Sequence, residues 1–374
     1  MRFISLLLLV GCGTVKSPPD MPPGDDDPTP ACGDGIRSPG EVCYKPAVSL
    51  AADTPRKPQF ADVDGDGDLD LVYLGYDPNG NDVIYTRINA DGVFSSAIAG
   101  ASTVGVHALA RDYDSDGYAD VAVAGVDANG TAAISMFKGD GTAHHTAGGS
   151  SALTFDPAGV AMGDVKGTGD LLVVFDTRTI ILFTVAGDMT IAVDDRAAMP
   201  QLASGTVGEL DGDGYMDLIA ATYDGVLVVR GGDTLSPIIT TPMMTLPQAI
   251  AVGDVTGDGL GDVAYATPES NVVGVMPGAG SGAFLEPLTA ELADGVFGLE
   301  LADVDGDGFL DVIAGGNALQ VVLASDTGLA APVTLPNTVF ASSIQAGDFN
   351  GDDAPDLLVS SSTDGKIDVY ESNP

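Results

Sequence analysis

The stretch Asp62-Val-Asp64-Gly-Asp66-Gly-Asp68-Leu-Asp70 places an acidic residue at every second position, with glycine at positions 4 and 6. Variants of this nine-residue pattern recur six times further along the chain of 374 residues. The copies, called loops 1 to 7, begin at residues 62, 112, 164, 209, 254, 303 and 348. Successive loops are therefore 45 to 52 residues apart. A repeat of this regularity indicates one supersecondary unit used seven times.

The spacing of the loops decides the fold class. A period of about 40 to 50 residues is typical of one propeller blade of four short strands. The sequence therefore predicts an all-β fold, a seven-bladed β-propeller over residues 46–374. Only two strand-like segments follow loop 7, whereas residues 46–52 are spare ahead of the first blade. We expect this N-terminal strand to complete the last blade and close the ring, which removes two open sheet edges.

The acidic loops have the composition of calcium sites. Oxygen ligands at positions 1, 3 and 5 converge when the backbone curls, a glycine at position 6 permits the turn, and position 7 contributes its carbonyl. An acid at position 9 completes the set. Calcium prefers such oxygen ligands, whereas zinc prefers imidazole and thiolate; the chain has three His, and its three Cys all precede residue 44. An EF-hand is excluded, because position 12 is Tyr73, Val123 and Ala314 in loops 1, 2 and 6.

Six loops are predicted to bind calcium, with different strengths. Loops 1, 2, 4 and 6 have a full acidic set, loop 5 loses a charge at Thr256, and loop 7 has Asn350 at position 3 and Asp353 at position 6. The predicted ligands are Asp62, Asp64, Asp66, Asp68 and Asp70; Asp112, Asp114, Asp116, Tyr118 and Asp120; Glu209, Asp211, Asp213, Tyr215 and Asp217; Asp254, Thr256, Asp258, Leu260 and Asp262; Asp303, Asp305, Asp307, Phe309 and Asp311; and Asp348, Asn350, Asp352, Ala354 and Asp356.

Loop 3, over residues 164–172, is predicted to be empty of metal. Lys166 and Thr168 take two ligand positions, and Leu172 is assigned to the position of the closing acid. We expect the Lys166 ammonium to reach into the empty loop and to pair with Asp164.

The repeated pattern D-x-D-x-D-G-x-x-D at blade spacing resembles the FG-GAP or VCBS repeats of integrin α-subunit propellers and of many bacterial surface proteins. The resemblance covers residues 46–374. It implies a propeller whose calcium loops join the first two strands of each blade and stiffen its rim.

The N-terminus resembles a bacterial lipoprotein signal. Met1-Arg2 is followed by the apolar run 3–10 and by Leu9-Val10-Gly11-Cys12. The resemblance implies a signal peptide over residues 1–11 and a lipid on Cys12, followed by a Pro- and Asp-rich tether to residue 31; an ordinary cleaved signal peptide is the alternative. The apolar run is too short to span a bilayer. We therefore expect an exported protein that is anchored by lipid to the cell envelope, at the outer membrane.

Residues 32–45 form a separate small module. Gly and Pro punctuate the segment between Cys32 and Cys43, and the export context favours a disulfide between them. The segment resembles the CGDG modules of myxobacterial surface proteins, although Tyr44 replaces the Asp that usually follows the second Cys. A simple covalent staple is the expected role.

Charge and motifs narrow the function. With 54 acidic and 14 basic residues the formal net charge is −40, which argues against nucleic acid as a partner. No nucleophile elbow, zinc-protease or P-loop motif accompanies His107, His144 and His145. The sequence favours a monomeric, non-enzymatic scaffold for adhesion or interaction with an unknown protein or surface ligand. A calcium-dependent polysaccharide lyase or hydrolase is the alternative, and a lectin is a third reading that the absence of Trp disfavours.

Overall fold

The computed structural model describes residues 32–374, except residues 34, 104, 106, 127–129, 170, 200–201, 233–234, 236–237, 244–246, 248, 268–270, 337–339 and 362 and the side chains of residues 102, 203, 238 and 239. The predicted signal peptide, Cys12 and the tether lie outside the described residues. Every regular element within them is a β-strand. The described part of the chain holds no helix long and apolar enough to cross a membrane.

The strands form seven antiparallel sheets of four, one for each predicted blade. Blades 1 to 4 consist of β2 (Arg56–Ala61), β3 (Asp70–Tyr76), β4 (Asp82–Arg87) and β7 (Ile98–Ser102); β8 (His107–Arg111), β9 (Asp120–Val126), β10 (Ala132–Gly139) and β11 (His145–Ala152); β12 (Gly159–Gly163), β13 (Leu171–Phe175), β14 (Thr179–Val185) and β15 (Ile191–Ala198); and β16 (Leu202–Gly208), β17 (Asp217–Thr222), β18 (Gly225–Val229) and β19 (Ile238–Pro242).

Blades 5 to 7 consist of β20 (Ala249–Gly253), β21 (Asp262–Thr267), β22 (Val272–Met276) and β23 (Leu288–Glu291); β24 (Val296–Ala302), β25 (Asp311–Gly316), β26 (Leu319–Val322) and β27 (Val333–Leu335); and β28 (Ser343–Gly347), β29 (Asp356–Ser361), β30 (Lys366–Tyr370) and β1 (Val48–Ala51). A small hairpin, β5 (Asn89–Ala90) and β6 (Val93–Phe94), lies between the third and fourth strands of blade 1.

The ring closes as the sequence predicts. Strand β1 pairs antiparallel with β30, with Val48 opposite Val369 and Ala51 opposite Lys366, and so becomes the outer strand of blade 7. The innermost strands of neighbouring blades contact one another around the whole ring, including β28 with β2. The prediction of a seven-bladed propeller closed by an N-terminal strand is therefore confirmed.

The core is divided among the seven interfaces between blades. Each of seven clusters of buried apolar side chains combines residues of two neighbouring blades. In β3, for example, Leu71 and Tyr73 pack toward blade 7, whereas Val72 and Leu74 pack toward blade 2. Because both faces of each central strand are covered, its sequence is a continuous apolar run instead of an alternating one.

Candidate metal centres

All seven loops join the first and second strands of their blades, so they lie together on one face of the ring. Two backbone positions shape each loop. Position 4 has φ between 63° and 79° in every loop, and position 6 is a glycine with φ between 86° and 102° in six of them. In loop 7 position 6 is Asp353, with φ at 63°. This left-handed conformation favours glycine and is tolerated by Asp.

The acid at position 1 organises the loop from inside. In all seven loops its carboxylate accepts a hydrogen bond from the N–H of position 6, over 2.7–3.3 Å. In six loops the position-5 carboxylate likewise accepts the N–H of position 7, over 2.9–3.0 Å. These bonds hold the side chains of positions 1 and 5 over the centre of the loop.

The acids at position 9, called the closing aspartates, tie each loop to its blade. They are Asp70, Asp120, Asp217, Asp262, Asp311 and Asp356, and all are fully buried. One oxygen accepts the N–H of position 2 over 2.8–3.1 Å. The other accepts an N–H at the end of the third strand, over 2.6–2.9 Å. Each closing aspartate thus joins two chain segments that have no ladder hydrogen bond between them.

Burial also changes the acidity of the closing aspartates. Desolvation raises the pKa of Asp70, Asp120, Asp217 and Asp356 to about 6, and that of Asp311 to about 7. The backbone N–H donors offset only part of this effect, because nearby carboxylates of the same loop act in the opposite direction. In the absence of a cation, burial therefore makes the ionised form of these carboxylates less stable than it would be in water.

Four loops gather three carboxylates closely enough to hold one metal ion. One oxygen from each lies within 4.8 Å of the others in the sets Asp62, Asp64, Asp66; Asp112, Asp114, Asp120; Glu209, Asp211, Asp217; and Asp303, Asp305, Asp311. These are loops 1, 2, 4 and 6. The donor set contains only oxygen, which suits calcium. In loop 2, Oδ1 of Asp114 is buried without a hydrogen-bond partner, as expected of an atom that faces a ligand.

Loops 5 and 7 are weaker as metal centres. In loop 5 Thr256 stands where the other loops have a carboxylate, and its N–H donates to Asp262 over 2.7 Å. In loop 7 the Asn350 amide donates to Asp352 over 3.1 Å, and the Ser372 hydroxyl donates to the same carboxylate. Fewer free carboxylate oxygens therefore remain in these two loops.

Loop 3 departs from the sequence-based alignment. Gly163 pairs with Leu171, whereas Gly253 in blade 5 pairs with the closing aspartate Asp262. Loop 3 is therefore one residue shorter than the others, and Leu171, not Leu172, takes the place of the closing acid. Leu171 is 1% exposed and packs in the cluster between blades 3 and 4. Asp170 lies outside the described residues.

The predicted contact of Lys166 with Asp164 is wrong. The Lys166 ammonium pairs with Asp194 over 2.9 Å and with Asp195 over 3.4 Å. Both acids belong to β15, the outer strand of the same blade. The carboxylate of Asp164 instead accepts the N–H of Gly169. The Lys166 ammonium thus points toward the outer strand of its blade, where it pairs with two carboxylates whose proximity the sequence spacing does not reveal.

Three basic residues that the sequence interpretation did not assign reach the acidic loops. Lys138 pairs with Asp114 and Asp116 in loop 2, and Arg230 pairs with Asp211 and Asp213 in loop 4. The third, Arg37, comes from the disulfide module and contacts loops 6 and 7. The sequence does carry a positional signal, since Lys138 and Arg230 each precede a glycine, Gly139 or Gly231, at the end of the third strand of a blade or just after it.

The N-terminal module is a clasp over blades 6 and 7. Cys32 and Cys43 form a disulfide bond. The Arg37 guanidinium donates to the carbonyl and carboxylate of Asp303 in loop 6 and to the carbonyl of Asp353 in loop 7. The N–H of Gly40 donates to Asp305 over 2.6 Å. The module therefore holds the two loops that flank the last interface before the ring closes.

Side chains at position 7 link neighbouring loops. A side chain on the position-4 glycine of loops 1, 3 and 5 would collide with Tyr118, Tyr215 and Phe309 of the following loop. In loop 7 position 7 is only Ala354, and the Arg37 side chain lies over the matching glycine of loop 6, Gly306. The clasp thus covers the position-4 glycine of loop 6, which the small Ala354 leaves uncovered.

Comparisons with known proteins agree with this architecture. A family model described as FG-GAP-like repeat matches residues 62–123, 210–265 and 254–314. Two similar solved structures are crystal structures of BBS1N in complex with ARL6DN, soaked with mercury or lead. They are 17% and 16% identical, with TM-scores of 0.62 and 0.61, and each match covers 91% of this chain and 98% of the other. At this identity they show the fold alone. No curated protein matches the sequence significantly. The chain is a seven-bladed β-propeller that carries FG-GAP-like repeats.

Proposed function

We propose that this propeller is a calcium-stabilised, non-enzymatic interaction scaffold that is exported and anchored to the cell envelope through a lipid on Cys12. The observation that carries the calcium assignment is the set of four carboxylate triads, all on one face of the ring. Oxygen ligands in curled loops with left-handed glycines suit a hard cation of flexible geometry. The net charge of −40 adds to the demand for bound cations.

The calcium has a structural role in this proposal. The closing aspartates connect each loop to the second and third strands of its blade. An ion that neutralises the loop carboxylates would therefore stiffen the rim from which the loops project. Affinities on the order of 10⁻⁴ to 10⁻³ M are usual for extracellular modules and would suit an exported protein.

The interaction role rests on architecture and on analogy. Propellers bind partners with the loops at the ends of the ring, and the two structural neighbours are described as complexes of BBS1N with ARL6DN. The partner of this chain is a protein or surface ligand of the envelope. Pull-down from envelope extracts, in calcium and in chelator, tests this part of the proposal. A partner captured in calcium and lost in chelator supports it, and capture of none contradicts it.

Calcium binding is tested on the purified propeller by equilibrium dialysis with elemental analysis and by thermal unfolding. We expect about four bound ions at saturating calcium and a melting temperature that falls clearly in EDTA. Asp303→Asn with Asp305→Asn should remove one ion. The matched pair Asp194→Asn with Asp195→Asn, outside the loops, should remove none. A wild-type protein without bound calcium, or with an EDTA-insensitive melt, would contradict the assignment.

The anchor is tested separately in the full chain. We expect the wild-type protein to fractionate with membranes and to incorporate labelled palmitate, and Cys12→Ala to do neither. A soluble, unlabelled wild-type protein would contradict the lipid anchor without affecting the calcium assignment.

A further inference from the structure

Two of the four carboxylate triads already contain a positive side chain. In loop 2 the Lys138 ammonium contacts Asp114 and lies 2.8 Å from Asp116. In loop 4 the Arg230 guanidinium contacts Asp211 and lies 3.5 Å from Asp213. In both loops the partners are the acids at positions 3 and 5. The position-3 acid belongs to the carboxylate triad of each loop, so each basic group pairs with a carboxylate that a divalent ion would also use.

The two basic residues occupy the same place in their blades. Each is followed by a residue whose N–H caps the closing aspartate, Gly139 on Asp120 and Gly231 on Asp217. By the same hydrogen bond, the equivalent residues beside loops 1 and 6 are Ile88 and Leu323, which precede Asn89 and Ala324. At this place, therefore, two of the four loops that hold triads have a basic residue and the other two have an apolar one.

The position-3 acids of loops 2 and 4, Asp114 and Asp211, are buried. The side chains of Asp114 and Asp211 are only 3% and 1% exposed, whereas those of Lys138 and Arg230 are 40% and 37% exposed. A buried carboxylate needs a cation or strong donors to remain ionised. The basic side chain supplies that charge from the solvent side, on a flexible stem that can also withdraw.

Loop 1 has no such partner. In the part of the chain that the structure describes, no lysine or arginine pairs with Asp62, Asp64 or Asp66. Loop 6 is contacted by Arg37, but at the position-1 acid Asp303 and from the separate N-terminal clasp. Among the described residues, therefore, only loops 2 and 4 carry a cation from their own blade on positions 3 and 5.

We propose that Lys138 and Arg230 are built-in counter-cations that hold loops 2 and 4 in shape without metal and compete with a divalent ion for the same carboxylates. The inference rests on the proposed calcium binding of the loops. According to this inference, loop 1 needs metal to keep its conformation, whereas loops 2 and 4 keep theirs when calcium is scarce. Calcium must displace the basic side chain from loops 2 and 4, so these fill at higher concentration.

Loop 4 offers a specific optical probe. The chain has no Trp, so tyrosines sensitise the luminescence of bound terbium, which takes the same oxygen sites as calcium. Tyr215 stands at position 7 of loop 4, and its ring lies against Gly167 of loop 3, which lacks the acidic set. In contrast, Tyr118 of loop 2 lies against Gly65 of loop 1 and would report on two loops. Emission that Tyr215→Phe removes therefore belongs to loop 4.

The experiment compares wild type with Arg230→Met, which keeps most of the stem and removes the charge. Terbium is titrated into the metal-free proteins and then displaced with calcium. We expect Arg230→Met to raise the affinity of the Tyr215-reported site about five- to tenfold for both ions. We also expect it to lower the melting temperature in EDTA. Arg230→Lys, which keeps the charge, should resemble wild type. Lys366→Met, which removes one positive charge at the opposite end of a blade, should change neither quantity.

The outcomes separate the inference from the calcium proposal. If Arg230→Met leaves the affinity unchanged or lowers it while the wild type binds calcium, the counter-cation role is overturned and calcium binding stands. If neither protein binds terbium or calcium, both the calcium assignment and the counter-cation role are contradicted. Lys138→Met is the second variant in case Arg230→Met does not fold. Calcium dialysis should then show one more tightly held ion than in wild type, and an unchanged binding curve would overturn the inference.

Discussion

Among single residues, the closing aspartates contribute most directly to holding the loops. Asp217 is representative: it is fully buried, and its two oxygens accept the N–H of Leu210 over 3.1 Å and of Gly231 over 2.9 Å. Its role therefore does not depend only on a metal. Blade 3 shows the alternative solution, in which a shorter loop allows the apolar Leu171 to occupy the same place.

We predict that Asp217→Ala destabilises the metal-free protein by about 2 to 4 kcal/mol, because two buried N–H groups lose their acceptors. Asp213→Ala is the matched control within the same loop. Asp213 is exposed and accepts one backbone N–H, from Tyr215 over 2.9 Å, so its loss should have a much smaller effect without metal. Urea unfolding of both variants in EDTA measures the difference. Equal losses for the two would contradict a structural role of the closing aspartate.

At the scale of elements, the clasp and β1 together complete the ring. Strand β1 pairs with β30. Ahead of β1 in the chain, Tyr44 of the clasp forms a β-bridge with Ser372, and its ring lies edge-on to that of Tyr370. Arg37 then connects the clasp to loops 6 and 7. The segment from residue 35 to residue 51 therefore covers the C-terminal strand β30 and loop 7.

We predict that Arg37→Ala weakens this closure by about 1 to 2 kcal/mol, because three hydrogen bonds and the packing over Gly306 are lost. Hydrogen exchange should accelerate in β1 and β30 more than in β17 and β18 of the distant blade 4. Arg37→Met retains the packing and should show an intermediate effect. Uniform acceleration across all blades, or none, would contradict a local clasp.

The number of blades and the closure of the ring could be predicted from the sequence, because the repeat period and the incomplete last unit are both visible in it; the small hairpin β5–β6 was not predicted. The alignment of loop 3 could not, since a one-residue deletion beside Leu171 and Leu172 leaves two apolar candidates for one position. The basic residues that pair with the loop acids could not be predicted from the sequence either. Lys138 lies 24 residues from Asp114, and Arg37 lies 266 residues from Asp303, so only the packed blades bring them together.

At the scale of the whole molecule, stability is coupled to pH through the acidic face. Burial disfavours the anion and raises the pKa of all six closing aspartates above the unfolded value near 4, to about 6 or 7 in the five other than Asp262. A carboxyl group with a raised folded-state pKa contributes stability that is fully present below the unfolded pKa and is lost as pH rises through the folded pKa. The self-repulsion of a chain with net charge −40 acts in the same direction.

We therefore predict that the melting temperature of the metal-free protein falls as pH rises from 5 to 8. Calcium should reverse much of this trend, because it binds the ionised carboxylates and so gains affinity as the protons leave. The stabilisation by calcium, measured as the difference between melting temperatures with calcium and with EDTA, should grow from pH 5 to pH 7 and then level off. Thermal scans at constant ionic strength measure both curves. A metal-free melting temperature that rises with pH over this window would show that the buried carboxylates prefer to be ionised without a metal, and would contradict the proposed coupling between charge, calcium and stability.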